Sequence, residues 1–200
     1  MALLLKKSCN HLKTSTAMKK VRLSIAVIMA SVLIISCSTS KTYFTPQVRT
    51  KVEKAGVNLN KIQFYADRNI ELRREVTKEE SQLSKGKIVI ENGKYINIIT
   101  LKKNTPGVCS GVYPDKVLVS FETGENKFLT FGKTQYATAL DPYKILAFEW
   151  YNNGDGMIKY EGNSYRITNG TQASVMISSR FVRKADEVKQ RQMEGVKVTD

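Results

Sequence analysis

From Lys61 onward, apolar and polar residues alternate with a period of two, and that pattern confines much of the chain to extended structure. Ile62, Phe64 and Ala66 alternate with Lys61, Gln63 and Tyr65; after Asp67-Arg68, Ile70 and Leu72 alternate with Glu71 and Arg73. Successive side chains of a strand point to opposite faces, so such a run buries one face and wets the other. The pattern predicts a half-buried strand pair turning at Asp67-Arg68. Glu71, Arg73 and Glu75 are then placed for an ion-pair ladder with Lys61. Exposed pairs of this kind contribute less than ~1 kcal/mol each, and a solvated face accounts for them before paired catalytic carboxylates do.

Two later segments read as hairpins. Lys87-Ile88-Val89-Ile90-Glu91 leads through Asn92-Gly93 into Lys94-Tyr95-Ile96-Asn97-Ile98-Ile99, and Met157-Ile158-Lys159-Tyr160-Glu161 leads through Gly162-Asn163 into Ser164-Tyr165-Arg166-Ile167. Asn-Gly and Gly-Asn accept the positive backbone angles that tight hairpin turns need. Further strands are predicted over 117–122, 127–131, 144–151 and 173–183, with turn residues between them. The expected fold is mainly β, an antiparallel β-sandwich or barrel-like domain over residues 45–200. A chain of about 160 residues supports one ordinary core.

Helices frame the strands. Thr45 as N-cap, Pro46 at the first turn and Gly56 as a stop predict a short helix over 47–55. Val48 and Val52 face the core in that reading, and Arg49, Lys51, Glu53 and Lys54 stay in water. Residues 186–195, with Glu187 and Arg191 at helical spacing, read as a short terminal helix or a frayed tail. Residues 196–198 read as a small edge strand.

The N-terminal region carries a different signal. Basic Met18-Lys19-Lys20-Val21-Arg22 precedes an apolar run from Leu23 to Ser36, and Cys37 follows. That run is shorter than the roughly 20 residues of a spanning helix and suits a signal-peptide core. Leu33-Ile34-Ile35-Ser36-Cys37 resembles the lipobox of bacterial lipoproteins, the type cut by signal peptidase II. The resemblance implies a signal peptide over 1–36, with Met18 as an alternative start, and diacylglycerol on the sulfur of Cys37. It also implies a polar tether over 37–44. The alternative is an uncleaved membrane anchor. Lipoprotein sorting signals place acidic residues soon after the cysteine for inner-membrane retention or surface export. Ser38-Thr39-Ser40-Lys41-Thr42 carries none, which implies an outer-membrane anchor with the domain facing the periplasm. The stretch from Lys61 to Glu75 resembles uncharacterised lipoproteins of Gram-negative bacteria, and that likeness carries no activity.

Cleavage before Cys37 changes what chemistry is left. Six of the 32 basic residues and no acidic residue precede Cys37, so the formal charge falls from +14 to +8. The remainder favours anionic partners such as glycans or lipid headgroups, or is a solvated basic surface. The chain's one histidine, His11, also precedes the cut, as does Cys9. The mature domain would then lack Ser-His-Asp and Cys-His nucleophile activation and the usual imidazole ligands of zinc. Cys109 alone would remain inside it, a small buried side chain or an exposed thiol. No metal or cofactor is expected, nor nucleic acid, since no basic residues gather on one helix face.

Phe148-Glu149-Trp150-Tyr151-Asn152-Asn153-Gly154-Asp155 is the remaining candidate site. Alternation assigns Leu146, Phe148 and Trp150 to the core, leaving Tyr151, Asn152, Asn153 and Asp155 exposed as candidate ligand-binding residues. Taken together, these readings predict a non-enzymatic, lipid-anchored envelope protein that binds a protein partner or supports an envelope assembly. A glycan- or anion-binding module is the alternative, and an enzyme the third reading.

Overall fold

Residues 40–84, 86–187, 193, 195 and 196 are described by a computed structural model. The chain divides into Met1–Ser38 and Thr39–Asp200; the expected signal and Cys37 lie outside the described residues. Among the described residues of the second unit, thirteen strands form two antiparallel sheets. In chain order they are β1 (Lys41–Tyr43), β2 (Gln63–Ala66), β3 (Ile70–Val76), β4 (Lys87–Glu91), β5 (Lys94–Leu101), β6 (Pro106–Val112) and β7 (Lys116–Ser120). They continue with β8 (Leu129–Gly132), β9 (Lys144–Ile145), β10 (Glu149–Trp150), β11 (Gly156–Tyr160), β12 (Asn163–Asn169) and β13 (Val175–Ser178).

Sheet A runs β1-β13-β2-β6-β7-β8-β9, and sheet B runs β10-β11-β12-β3-β5-β4. Both press their apolar rows on one core, with Phe64, Val117, Val119 and Phe131 from sheet A and Ile70, Leu72, Ile158 and Ile167 from sheet B. Phe44 sits edge-on to both Phe64 and Tyr143, ring centres 5.1 and 5.2 Å away. Each large side chain buried this way contributes about 1.5–3 kcal/mol. Sheet A curls until Ile145 N donates to Ala173 O and Val175 N to Tyr143 O, across an isolated bridge between Lys144 and Ser174. Those contacts stop short of a closed barrel.

Three predicted strand assignments change. Residues 62–73 are not a strand pair: β2 lies in sheet A between β13 and β6, while β3 lies in sheet B between β12 and β5. The cause is a corner at Asp67, whose buried carboxylate accepts from Ser174 N at 2.8 Å and from Arg68. Asp67 N donates to Ser174 O as well, so the chain is fixed to sheet A just before it leaves. The ladder with Lys61 is consequently replaced: Arg73 pairs with Glu91, and Lys94 with Glu75. Residues 144–151 are also split, into β9 of sheet A and β10 of sheet B. Residues 173–183 leave the extended form at Ser179, where the backbone N–H donates to Ser40 O.

There α3 (Ser179–Glu187) begins, after α1 (Pro46–Lys54) and α2 (Lys78–Leu83). Phe181 and Val182 pack on the core and Ala185 is buried, a spacing that puts all three on one helical face, whereas in a strand Val182 would point away from the other two. The predicted terminal helix thus starts earlier, and residues 188–192, 194 and 197–200 lie outside the described residues. In α1, Thr45 Oγ1 accepts from Val48 N and Gly56 adopts φ +72°, as its caps predict. Arg49 departs from the prediction by being buried. Within the stretch read from the sequence as a polar tether, Lys41 to Tyr43 pair with β13.

Asn92-Gly93 turns the β4–β5 hairpin. The β11–β12 turn falls one residue earlier than predicted, on Glu161-Gly162. Glu161 is held there by its N–H to Asn126 O and by its carboxylate to Lys127 at 2.8 Å.

Candidate functional site

The site grows from the crossing between the sheets at Ala147. Leu146 N donates to Thr130 O of β8 at 2.8 Å, whereas Phe148 N donates to Met157 O of β11 at 2.9 Å. One residue thus separates membership of the two sheets, and the alternation restarts on the far side. Phe148 and Trp150 are therefore not core residues: they are 60% and 48% exposed. The Trp150 indole lies over Gly156, where an added Cβ would meet the ring and the Ala147 Cβ at 2.8 Å. Gly156 is required here for space.

A groove of about 330 Å³ opens beside this crossing. Its lining takes Lys116, Leu129 and Leu146 from the sheet A side and Phe148, Ile158 and Lys159 from the sheet B side. Lys159 Nζ stands 5.8 Å from the Phe148 ring centre and donates to Ser164 Oγ. The Lys116 ammonium sits 5.5 Å from the centre of the Tyr113 ring. Such a groove accepts an apolar side chain and offers ammonium groups to a neighbouring negative charge.

The turn after β10 gathers three of the predicted residues. Tyr151 N donates to Asp155 O, Gly154 N to Tyr151 O, and Asn153 Nδ2 to Asp155 Oδ2 at 3.0 Å. Asp155 also lies 3.7 Å from Arg166, whose guanidinium stacks 4.8 Å from the Tyr151 ring centre. Asn153 and Asp155 therefore spend their polar atoms on shaping the turn, and Asn152 stays exposed. Tyr151 with Arg166 is the part of the turn that presents a face. The sequence reading missed Phe148, Trp150, Lys116 and Lys159, because period-two counting carried straight through Ala147 and gave no sign of the change of sheet.

A second cleft, about 290 Å³, lies between Leu72, Ile99 and Leu101 on one side and Phe121 and Leu129 on the other, with Tyr160 and Glu122 at its polar end. The Tyr160 hydroxyl donates to Glu122, and Lys127 joins Glu122 to Glu161. Burial, then the adjacent Glu122 carboxylate, push the Tyr160 phenol well above its ordinary pKa, so it remains a donor. One ammonium compensates both carboxylates, and the cluster clasps the β11–β12 turn to the loop before β8.

Cys109 is buried in β6, with Sγ 3.3 Å from Gly111 O, and burial pushes its thiol up. Thiolate chemistry is disfavoured there. Among the described residues no three His, Cys, Asp or Glu side chains gather to hold a metal, and no helix is long and apolar enough to cross a membrane. No family model matches the chain, and no curated protein or solved structure matches it either.

Proposed function

We propose that this chain is a non-enzymatic lipoprotein of the bacterial envelope, anchored by lipid on Cys37 and facing the periplasm, that binds a protein partner at the Phe148–Trp150 edge. One observation carries the partner reading: two large aromatic side chains, Phe148 just before a short edge strand and Trp150 on it, stand exposed beside an apolar groove flanked by lysines. Aromatic residues in such positions act as interface anchors, and the surrounding charges select the partner. The complementary segment is an apolar side chain next to acidic residues. Lipid on Cys37 would confine the domain to the outer membrane and raise its concentration near membrane-bound partners.

The second reading, an anionic glycan or lipid headgroup, is favoured by the Arg166–Tyr151 stack. Photo-crosslinking in intact cells from a photoreactive residue at position 148, followed by identification of the adducts, separates the two. Recovery of one reproducible protein is expected, with a loss of about tenfold or more in the W150A variant. Adducts that contain only glycan or lipid would favour the second reading, and an unchanged protein adduct in W150A would remove this edge from the interface. Mass spectrometry that finds unmodified Cys37 in the membrane fraction would sink the anchor.

A further inference from the structure

Four strands end the two sheets, and they are unequal. β10 and β9 have two residues each and β1 has three, while β4 has five. The backbone of β9 is in part occupied by its return to residues 173–175. Among the described residues β4 is thus the longest open edge. Its sequence, Lys87-Ile88-Val89-Ile90-Glu91, contains no proline and pairs with β5 without a register shift. Natural sheets normally blunt such an edge with a bulge, a proline or charged side chains; β4 has neither of the first two, and its charges, Lys87 and Glu91, are of opposite sign.

The pairing pattern says which groups are open. The hairpin turns through two residues, so Glu91 and Lys94 form the hydrogen-bonded pair next to the turn, and the pairs alternate from there. Val89 and Lys87 therefore direct their N–H and C=O groups to β5. Ile88 and Ile90 direct theirs outward, and the Ile90 side chain is 66% exposed.

We infer that β4 pairs antiparallel with β4 of a second copy of this chain, about a two-fold axis through Val89. In that register Ile88 of each copy exchanges backbone hydrogen bonds with Ile90 of the other, and both outward-facing residues are satisfied. On one face the isoleucines cover each other. On the opposite face Val89 meets Val89, and Lys87 of each copy stands against Glu91 of the other. Glu91 already accepts Arg73 at 2.6 Å and its side chain remains 44% exposed, so it can take a second cation. Slipping the register by two residues loses both Lys–Glu pairs, which makes the charge pattern self-complementary in one alignment only. This inference is independent of the anchor and of the aromatic edge, which lies at the opposite end of sheet B.

The test uses the full chain purified in detergent. Val89 on the axis forms a non-hydrogen-bonded pair, in which Cα atoms approach to about 4.5 Å, within disulfide range. Mild oxidation of V89C is expected to give a covalent dimer, and V108C, exposed on sheet A, to give no more than the wild-type background. Sedimentation should show K87E and E91K each weakening association by about tenfold, with the K87E/E91K double reversal restoring it. Circular dichroism identifies any variant that fails to fold, and the other single reversal then carries the comparison. A wild-type monomer up to about 1 mM, equal crosslinking of V89C and V108C, or no recovery in a folded double reversal would each overturn the pairing.

Discussion

Arg49 shows how one charged side chain can organise a buried junction. It lies on α1 with only 9% of its surface exposed, and its guanidinium donates to Tyr113 O at 2.7 Å, Pro114 O at 3.3 Å and Tyr143 Oη at 3.4 Å. Glu53, one turn along, accepts from Nε at 2.9 Å. Helical spacing alone had placed Arg49 in water, because no local pattern reveals that the β6–β7 turn brings bare carbonyls to that face. R49M keeps the length and removes every donor, leaving the carbonyls with nothing in reach. Charged hydrogen bonds contribute about 1.5–3 kcal/mol, so a loss of about 2–4 kcal/mol in urea unfolding is expected, and a change below about 0.5 kcal/mol would show that water replaces the guanidinium. Gly156 is the steric counterpart. G156V places a branched side chain where the Trp150 ring and Ala147 already meet a bare Cβ position at 2.8 Å, so the indole must move outward. Trp150 is the only tryptophan, so its emission reports the move directly: a red shift is expected, and an unchanged spectrum would mean that the indole does not rest on Gly156.

Elements with local causes were readable, and those with distant causes were not. Thr45-Pro46 and Asn92-Gly93 act on their own neighbours, and α1 and the β4–β5 hairpin follow from them. β6 escaped notice because Gly107, Cys109, Ser110 and Gly111 have none of the bulk that marks a strand; yet a Cβ on Gly107 would meet Phe121 and Val119 at 2.7–2.8 Å, so the packing itself demands a small residue. The candidate turn was legible at Tyr151, but the aromatic edge beside it was not, for alternation names a face and never the sheet that owns it. α2 was legible and overlooked: Thr77 and Glu80 form a capping box, each side chain bonded to the other's backbone N–H. The Thr77 backbone N–H, and then Arg74, hold the Glu80 carboxyl below its ordinary pKa. A lowered folded value means that ionisation favours the folded helix. Its contribution is complete above the unfolded value near ~4.3 and disappears as pH falls through the lower folded value. The protection of amides across 78–84, taken relative to unstructured amides at the same pH, should therefore fall in that acid window in the wild type, while E80Q, which keeps an acceptor and loses the charge, is less protected at neutral pH and shows no such step. A carboxyl resonance of Glu80 that titrates at or above ~4.3 would contradict the capping geometry.

At the scale of the whole molecule, the position of β1 sets how an anchored domain would operate. Pairing of Lys41 to Tyr43 with β13, and the bond from Ser179 N to Ser40 O, remove most of the slack that a tether over 37–44 would have had. Only Ser38 and Thr39 then separate Cys37 from residues fixed to sheet A, a reach on the order of 10 Å even when fully extended. Under the lipoprotein reading the domain would be held against the bilayer surface, and partners embedded in or lying on the same membrane would be met at high effective concentration. An insertion of about 20 Gly/Ser residues after Ser38 raises the average reach to about 25 Å without touching any residue of the sheets. The thermal unfolding midpoint should stay within about 2 °C of wild type, while the yield of crosslinks from position 148 to a membrane-resident partner should fall severalfold as the effective concentration drops. Equal yields from both tether lengths would mean that the partner reaches the aromatic edge from the periplasmic side and that closeness to the membrane plays no part in recognition.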